Sequence, residues 1–449
     1  MNRTQSNHFT EIFTTIPVDR TYIQNALQKL TYGEINLLIR QFAKQHSYLA
    51  GKHCALVTSS RYELAKFLPM IATLASKIYL QPSCLNQEIA QQFYAKSRIE
   101  YIITISNSGI DVQEISTSKL NETRDQEWLL STSGTTGTPK LVSYNLAKLM
   151  LASKKNVSRG NEFIWGLSYD LNRFAGLQVY FQAISSGSSL TITEASSEPH
   201  DIVKLFTDKH VNCLSATPSF WRKLLMTKGS NLLNLKRITL GGEIADQAVL
   251  SSLSKVFKNS KISHIYASTE AGVGFSVQDS LMGFPLDYIG PSNKSTIELK
   301  IVDNILWIKS EGGASSILSG SLMIDECKFI NTGDIVQIID NRVLFIGRES
   351  GTINVGGNKV IPEEVESVLN RHPDVLQVRV FGKKNSVLGM LVNAEIVVES
   401  SRELASEKAL KKELLLFCKV ELEPFKVPAV IKIVEEIAIN ESGKIVRNR

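Results

Sequence analysis

Short β-branched runs alternate with amphipathic helical stretches through the first three quarters of the chain. The strand-like runs include CALV (54–57), YIITI (101–105) and CLSAT (213–217), whereas residues 61–77 and 198–209 have helical character. Strands that alternate with helices form βαβ units with mainly parallel sheets. The pattern therefore predicts an α/β fold, with a large N-terminal domain of mainly parallel sheets flanked by helices.

The C-terminal part of the chain has a different pattern. The segment IPEEVESVLN (361–370) places its apolar residues on one helical face behind a proline, and LQVRV (376–380) alternates like a half-exposed strand. Because 449 residues are too many for one ordinary core, we expect more than one domain. The predicted bounds are 1–346 for the N-terminal domain, 347–351 for a hinge and 352–449 for a small α+β C-terminal domain.

Composition and charge argue against several classes of protein. Lys and Arg number 50 against 44 Asp and Glu, an excess too weak to indicate nucleic-acid binding but suited to an anionic substrate. The five cysteines are scattered without a CxxC pair, which argues against a disulfide framework or a zinc site. No run approaches the roughly 18 apolar residues of a membrane span. We expect a cytoplasmic protein without a nucleic-acid partner or integral membrane association.

One loop, STSGTTGTPK (131–140), has the composition of a phosphate-binding site. Glycines let backbone N–H groups approach phosphate oxygens, hydroxyls add donors, and a lysine supplies positive charge. The loop is not a Walker A motif, because a proline precedes its lysine and Leu141 follows it. The residues expected to hold phosphate are Ser133, Gly134, Thr135, Thr136, Gly137 and Lys140.

Four further motifs follow in a fixed order. They are YASTE (266–270), NTGD (331–334), IGRESGTINVGGNKVIPEEVE (346–366) and INESGKIVR (439–447). Together with the loop, they resemble the ordered motifs of the adenylate-forming (AMP-binding) enzyme superfamily, and most closely those of a short stand-alone acyl-CoA synthetase. The resemblance extends over nearly the whole chain.

The resemblance implies a ligase that uses ATP, Mg²⁺ and CoA. Such an enzyme joins a carboxylic acid to AMP with release of pyrophosphate, and then transfers the acyl group to a thiol with release of AMP. Catalysis of this kind depends on positioning and on neutralising phosphate charge. Family members run the two steps by rotating the C-terminal domain, so the small domain is expected to be mobile about the hinge residue Ser350.

The matching motifs also imply catalytic and metal-binding residues. Lys444 stands where the family has the lysine that bridges the substrate carboxylate and the α-phosphate. Lys140 and Arg348 are the other expected catalytic groups. Glu270, together with Thr135, is expected to bind Mg²⁺, a hard cation that prefers oxygen ligands.

The nucleoside and thiol sites are implied in the same way. Asp334 is expected to accept hydrogen bonds from the ribose, and Gly242 and Tyr266 to flank the adenine. Gly356 and Gly357 are expected to line the thiol tunnel. The full set expected to bind ATP or AMP is Ser133, Gly134, Thr135, Thr136, Gly137, Lys140, Gly242, Tyr266, Thr269, Asp334 and Arg348.

The acid pocket is expected at SYDLNRFAGLQ (168–178), and its candidate residues are Asp170, Arg173, Phe174 and Gly176. Two interpretations of Asp170 remain open. Amino-acid-activating members of the family carry an aspartate at about this place that binds the substrate amine. Alternatively, Asp170 is a structural turn or cap residue, and the pocket takes an acid without an amine.

The acceptor and the pathway also remain open. The first hypothesis is an acyl-CoA ligase, and the second is a ligase that loads an acyl or amino acid onto the phosphopantetheine of an acyl carrier protein. The third is a non-catalytic module that binds a nucleotide or an acyl thioester. The short chain suggests a specialised role, such as polyketide or other secondary metabolism.

Overall fold

The computed structural model describes residues 8–116, 126–132, 139–291, 297–386, 388–398, 407–438 and 444–445. None of the helices in these ranges combines the length and the apolar character that a membrane span requires. The helices are α1 (His8–Thr14), α2 (Tyr32–Gln45), α3 (Arg61–Ala72), α4 (Gln87–Ser97), α5 (Leu146–Met150), α6 (Phe174–Ser185), α7 (Pro199–Asp208), α8 (Pro218–Met226), α9 (Gln247–Val256), α10 (Pro362–Leu369) and α11 (Glu407–Glu421).

The strands follow the same chain order. They are β1 (Thr21–Gln24), β2 (Lys29–Thr31), β3 (His53–Val57), β4 (Lys77–Gln81), β5 (Tyr101–Ser106), β6 (Gly109–Glu114), β7 (Glu127–Ser131), β8 (Leu141–Asn145), β9 (Ile164–Leu167), β10 (Ser189–Ile192), β11 (Cys213–Ala216), β12 (Arg237–Gly241), β13 (Lys261–Ser268), β14 (Gly272–Val277), β15 (Phe284–Pro285), β16 (Ile297–Val302), β17 (Ile305–Ser310), β18 (Ser316–Ser319), β19 (Ile330–Ile339), β20 (Arg342–Arg348), β21 (Ile353–Val355), β22 (Asn358–Val360), β23 (Val375–Asn385), β24 (Gly389–Val398) and β25 (Val430–Ile433).

Two large sheets with parallel centres form most of the N-terminal domain. One runs in the order β14-β13-β12-β11-β9-β10-β1-β2, and every pair from β13 to β1 is parallel. The other runs in the order β18-β8-β7-β4-β3-β5-β6, and its central strands from β7 to β5 are parallel. The prediction of mainly parallel sheets with flanking helices is confirmed.

A third sheet of the N-terminal domain is antiparallel, in the order β15-β20-β19-β17-β16. Asp303 and Asn304 join β16 to β17, and Asp340 and Asn341 join β19 to β20, each with a positive φ. Two successive positive φ values are typical of the tight turns that connect β-hairpin strands. These Asp-Asn pairs are a sequence signal that the predicted fold did not use.

The C-terminal domain has its own sheet and its own core. Strands β21 to β25 form the sheet, and α10 packs on β23 while α11 packs on α10 and β25. Buried residues from both layers, among them Val380, Ile396 and Leu414, make up this core. The predicted α+β character of the small domain is confirmed.

The structure corrects one predicted helix. Residues 61–77 were expected to be helical throughout, but α3 ends at Ala72 and Lys77 begins β4. The β4 sequence, KIYLQ, lies between β3 and β7 in the centre of a parallel sheet, where four of its five residues are buried. The sequence of a buried central strand is a nearly continuous apolar run. Periodicity alone does not distinguish such a run from a buried helix segment.

Candidate active site

A cavity of about 1960 Å³ lies between the two domains. The carboxyl ends of parallel strands form one wall, since Pro218 follows β11, Gly242 follows β12 and Thr269 follows β13. Strands β19 and β20 and the C-terminal strand β23 supply further lining residues. Ligands of open α/β sheets bind at this edge of the strands. The cavity is therefore the candidate active site.

Asp334 and Arg348 face each other across two strands of the antiparallel sheet. They are paired in the register of β19 and β20, and Arg348 Nε donates to Asp334 Oδ1 at 2.7 Å. A second guanidinium nitrogen of Arg348 donates to the carbonyl of Thr332 at 3.1 Å. Because the sheet register aligns both residues, their ion pair has a fixed position in the cavity wall.

Tyr266 completes this cluster. Its hydroxyl donates to Asp334 Oδ2 at 2.5 Å, and its ring stacks on Phe275 and Phe345, with centroid distances of 5.3 and 5.2 Å. Burial raises the pKa of Tyr266 well above its usual value, and the neighbouring Asp334 carboxylate raises it further. Tyr266 therefore remains a neutral donor, and both oxygens of Asp334 have a protein partner. We call Tyr266, Asp334 and Arg348 the nucleoside cluster.

Glu270 and Lys140 lie together in another part of the cavity. Lys140 Nζ is 3.8 Å from Glu270 Oε1, and both residues line the cavity. A sharp turn carries Thr269 and Glu270 from β13 to β14, and the Tyr144 hydroxyl donates to the Thr269 carbonyl at 2.6 Å. The turn needs Gly272, whose φ is +74° and whose Cβ position lies 2.1 Å from the carbonyl oxygen of Gly312.

The predicted phosphate loop connects β7 to β8. Ser133, Gly134, Thr135, Thr136 and Gly137 lie outside the described residues. At the base of the loop, the Thr132 N–H donates to the Lys140 carbonyl at 2.9 Å, and the Lys140 N–H donates to Thr132 Oγ1 at 3.0 Å. These two bonds close the base of the loop and fix where the Lys140 side chain begins.

Lys444 enters the cavity from the C-terminal domain. Its Cε lies 3.3 Å from the Cβ position of Gly242, which has a φ of +83°. The backbone N–H of the next residue, Ile445, donates to Glu243 Oε1 at 3.0 Å. Gly242 was predicted to flank the adenine, and the structure places it beside the aliphatic chain of Lys444.

The charge of Lys444 depends on its surroundings. Burial lowers the pKa of Lys444 below its usual 10.5, and the nearby Arg348 cation lowers it further. Three carboxylates oppose these two effects; they belong to Glu243, Asp334 and Glu270. The lowered pKa means that Lys444 loses its charge at a lower pH than an exposed lysine.

Two family profiles match the chain in order. The profile of the AMP-binding enzyme matches residues 73–311, and that of the AMP-binding enzyme C-terminal domain matches residues 364–444. The chain belongs to the AMP-binding enzyme family. The first match covers more than half of the chain, and the second includes Lys444.

Curated relatives within this family are CoA ligases. The 2-succinylbenzoate–CoA ligase of Listeria monocytogenes serotype 4b is 28% identical over 383 residues, which cover 81% of this chain and 79% of that protein. The 2-succinylbenzoate–CoA ligase of Bacillus subtilis is 23% identical, over 94% of this chain and 93% of that protein. The mitochondrial acyl-coenzyme A synthetase ACSM1 of Mus musculus is 24% identical, over 85% of this chain and 70% of that protein.

Solved structures of a CoA ligase and of a CoA synthetase have the same fold. The anthranilate CoA ligase AuaEII with anthranoyl-AMP aligns with a TM-score of 0.76 at 17% identity, over 97% of this chain and 95% of that chain. The o-succinylbenzoate CoA synthetase of Bacillus subtilis with its acyl-adenylate intermediate aligns with a TM-score of 0.72 at 20% identity, over 99% and 98%. The prediction of an adenylate-forming, AMP-producing ligase is confirmed by the family profiles and the curated relatives.

The predicted acid pocket of this AMP-binding enzyme divides into two parts. Arg173 and Phe174 line the cavity, and Arg173 Nη1 donates to the Ser131 carbonyl at 3.2 Å, beside the phosphate loop. Asp170 lies behind the cavity wall, where its Oδ1 accepts from Arg61 Nε at 2.5 Å. Both members of this pair are buried. The geometry matches the interpretation of Asp170 as a structural residue.

Gly176 has a packing role behind the same wall. It lies in the first turn of α6, and its Cβ position is 2.1 Å from the backbone carbonyl oxygen of Asp170. A side chain at this position would collide with the backbone and displace α6. Gly176 therefore acts on the pocket through the placement of α6, which carries Phe174, and does not line the cavity itself.

The predicted thiol-tunnel glycines are not part of this cavity. Gly356 and Gly357 have φ values of 57° and 91°, and Gly357 lines a separate groove of about 640 Å³ on the C-terminal domain. Ser350 lines the main cavity and lies in a short 3-10 turn between β20 and β21. In this arrangement Lys444 lines the cavity of the AMP-binding enzyme, whereas Gly356 and Gly357 lie outside it.

Sequence reasoning missed three residues that support the site. Tyr144 holds the Thr269 carbonyl and stacks on Phe174, Arg61 pairs with Asp170, and Glu243 contacts the Lys444 segment. Only Glu243 had a local signal, because it directly follows Gly242, which the sequence already placed at the nucleotide site. Partners such as Tyr144 and Arg61 become visible only when distant segments of the chain meet.

Proposed function

We propose that this protein activates a carboxylic acid with ATP and transfers the acyl group to CoA. In the first step, a carboxylate oxygen bonds to the α-phosphorus of ATP, and the bond from that phosphorus to pyrophosphate breaks. Lys444 would lie between the carboxylate and the α-phosphate, where it offsets negative charge as the bond forms. Lys140 and the phosphate loop would hold the phosphates that leave.

The nucleoside cluster would keep AMP in place through both steps. Asp334 would accept hydrogen bonds from the ribose, while Arg348 and Tyr266 hold its carboxylate in position. Glu270 is a carboxylate in the cavity wall beside Lys140, and such an oxygen ligand would suit a Mg²⁺ ion. That ion would neutralise phosphate charge, and Glu270 would hold it in position.

The second step would use a rotated C-terminal domain. The thiolate of CoA bonds to the acyl carbon, and the bond from that carbon to the oxygen of AMP breaks. For this step we propose that residues 347–351 act as the hinge, with Ser350 as the turning point, so that Lys444 leaves the cavity. The loop with Gly356 and Gly357 would take its place and line the thiol path.

One observation carries the proposal: Lys444 shares a cavity with Lys140, Glu270, Asp334 and Arg348. These residues are separated widely in the sequence, and three of them supply positive charge where a nucleotide would carry negative charge. A module without catalytic activity would have no need of a lysine delivered from a second domain. The same constellation is expected for any acyl acceptor, and CoA is chosen because the curated relatives are CoA ligases.

The acid is proposed to be an aryl acid with a second polar group. Aromatic rings of Trp165, Tyr169 and Phe174 line the cavity, and so do Arg222, which is paired with Asp246, and Arg237, whose guanidinium lies over the Phe163 ring. Aromatic rings favour an aromatic substrate, and the positive charge of Arg237 favours a second carboxylate. The acid named in several relatives, 2-succinylbenzoate, has both features and is the first acid to test. A cytoplasmic location is part of the same proposal.

The test is acid-dependent release of pyrophosphate with ATP and Mg²⁺. The panel contains 2-succinylbenzoate, anthranilate, benzoate, fatty acids, β-keto acids and amino acids, each with CoA, with a carrier protein or with neither. We expect a burst of pyrophosphate with an aryl acid and multiple turnovers only when CoA is added. Turnover with a carrier protein but not with CoA would reject the proposed acceptor. Absence of pyrophosphate release with every acid would reject the proposed reaction.

A further inference from the structure

Glu243 contacts both domains through its two carboxylate oxygens. Oε2 accepts a hydrogen bond from the backbone N–H of Ser219, and Oε1 accepts one from the backbone N–H of Ile445, each at 3.0 Å. Ser219 belongs to the N-terminal domain, whereas Ile445 follows Lys444 in the C-terminal domain. One side chain therefore connects a fixed helix to the segment that delivers Lys444.

The Ser219 end of this bridge lies at the start of a helix. Ser219 is the second residue of α8, so its N–H lies at the helix N-terminus and has no carbonyl partner within the helix. A carboxylate is favourable at this end of a helix because the peptide dipoles leave partial positive charge there. Thr217 caps the same helix by accepting from the Phe220 N–H at 3.1 Å. Glu243 is thus oriented before the C-terminal segment contacts it.

The Ile445 end acts directly beside the lysine. Ile445 is the next residue after Lys444, so a hydrogen bond to its N–H fixes the backbone from which the Lys444 side chain extends. Gly242, which precedes Glu243, leaves space for the Lys444 chain, whose Cε is 3.3 Å from the Cβ position of this glycine. Gly242 and Glu243 together therefore form the binding surface for Lys444 and Ile445.

We propose that Glu243 is a positioning residue for the adenylation step: it holds the Lys444 segment in the cavity and releases it when the C-terminal domain rotates. This inference rests on the proposed function, because it assigns Lys444 to the first step only. In the second step Ile445 leaves with its domain, and Glu243 keeps only its bond to Ser219. The removal of Glu243 should therefore slow adenylation and leave thioester formation unchanged.

An ion pair between the domains provides a matched control. Lys223 Nζ lies 3.6 Å from Glu436 Oε2, and the Glu436 side chain is 77% exposed. Exposed pairs of this kind contribute little to stability. Lys223→Ala removes a charge from α8 and one contact between the domains, but leaves the bridge through Glu243 intact. It should leave both steps near their wild-type rates.

The experiment compares Glu243→Ala, Glu243→Gln and Lys223→Ala in single turnovers. Adenylation is followed as pyrophosphate release, and thioester formation is started from preformed acyl adenylate and CoA. A hydrogen bond to a charged group is worth enough that we expect Glu243→Ala to slow adenylation about tenfold or more. Glu243→Gln keeps one oxygen and should show a smaller loss. Equal losses in both steps, or no loss in either, would overturn the inference.

A double variant separates positioning from a general structural effect. Glu243 is proposed to act through Lys444, so Glu243→Ala should cause no further loss of adenylation when Lys444→Ala is already present. A loss as large as in the wild-type background would overturn the inference. If Glu243→Ala lowers the free energy of unfolding too far, Glu243→Gln provides the same comparison.

A failure of this inference can be distinguished from a failure of the proposed function. A wild-type protein that releases pyrophosphate, together with a Glu243→Ala variant of equal rate, would reject the role of Glu243 and leave the ligase reaction intact. A wild-type protein that releases none with any acid would reject the reaction, and the role of Glu243 with it.

Discussion

The nucleoside cluster and the Lys444 segment contribute to the same cavity in different ways. The cluster belongs to a sheet: Asp334 and Arg348 are cross-strand partners, and Tyr266 stacks on two phenylalanine rings. The Lys444 segment contacts the other domain through the N–H of Ile445 and through the packing of its side chain on Gly242. One part of the site is fixed by strand register, and the other is held by contacts between the two domains.

This difference teaches how one cavity can serve two reactions. A group that both reactions need, such as the holder of AMP, belongs on a rigid element. A group that only one reaction needs must be able to leave, so its attachment has to be weak enough to exchange. The cluster is therefore expected to affect both steps, and Lys444 only the first.

The largest expected effect is that of Lys444→Ala on adenylation. Loss of a group that stabilises charge in a transition state typically slows a reaction about 10²- to 10³-fold, and we expect a loss of this size in acid-dependent pyrophosphate release. Stopped-flow detection of pyrophosphate measures it. A variant that releases pyrophosphate at the wild-type rate would remove Lys444 from the proposed mechanism.

Asp334→Ala should have the next largest effect, and it should affect both steps. The variant removes the proposed ribose acceptor and leaves Arg348 without its carboxylate partner, and each charge-assisted hydrogen bond is worth about 1.5–3 kcal/mol. We expect kcat/KM to fall about tenfold to a hundredfold for adenylation and for thioester formation.

Asp279→Ala is the matched control for this prediction. Asp279 is paired with Arg342 at 2.7 Å, at the opposite end of β20 from Arg348. The substitution removes a similar ion pair from the same sheet, and the rates of both steps should stay near those of the wild-type protein. A loss confined to adenylation in Asp334→Ala would contradict a shared role for the cluster.

Asp170→Asn extends the comparison to the wall behind the cavity. The variant weakens the buried bond to Arg61, so we expect the free energy of unfolding to fall by about 1.5–3 kcal/mol with unchanged preference among acids. Urea denaturation and the acid panel measure the two quantities. The exposed residue Asp201 provides a control, because Asp201→Asn should leave stability nearly unchanged. Unchanged stability together with an altered preference for amino acids would instead support binding of a substrate amine.

The last expected effect is a difference in pH dependence between the two steps. Below its lowered pKa Lys444 is charged, and above that pKa it becomes neutral. For adenylation, kcat/KM for ATP should therefore fall as pH rises, about tenfold per unit once the lysine is mainly neutral. This decline should begin below the usual lysine pKa of 10.5. Thioester formation from preformed adenylate should show no such decline, and a parallel decline in both steps would contradict the account of Lys444.

Much of the fold could be predicted from the order of strand-like and helical segments in the sequence. Alternating strands and helices predicted the two parallel-centred sheets, and the shift to an α+β pattern predicted the C-terminal domain. The buried strand Lys77–Gln81 was missed because a continuous apolar run lacks a distinguishing period. The third sheet was missed because its hairpins depend on Asp-Asn turns with positive φ, which have a weaker signal than Asn-Gly.

The residues of the candidate site could be predicted where they lie in a recognisable motif. They could not be interpreted where their role depends on a contact with a residue far away in the sequence. Glu270, Asp334, Arg348 and Lys444 all line one cavity, although up to 174 positions separate them in the chain. Asp170 could not be interpreted from its own segment, since its partner Arg61 lies 109 residues earlier. The Phe275 and Phe345 rings beside Tyr266 likewise come from two different strands.

The most direct measurement gives the same preformed acyl adenylate and CoA to the wild-type protein, to Lys444→Ala and to Asp334→Ala, and follows thioester formation in a single turnover. If the cluster serves both steps and Lys444 serves only the first, Lys444→Ala should form thioester at close to the wild-type rate while Asp334→Ala is slowed. A Lys444→Ala variant that loses thioester formation as strongly as adenylation would contradict this division of the active site.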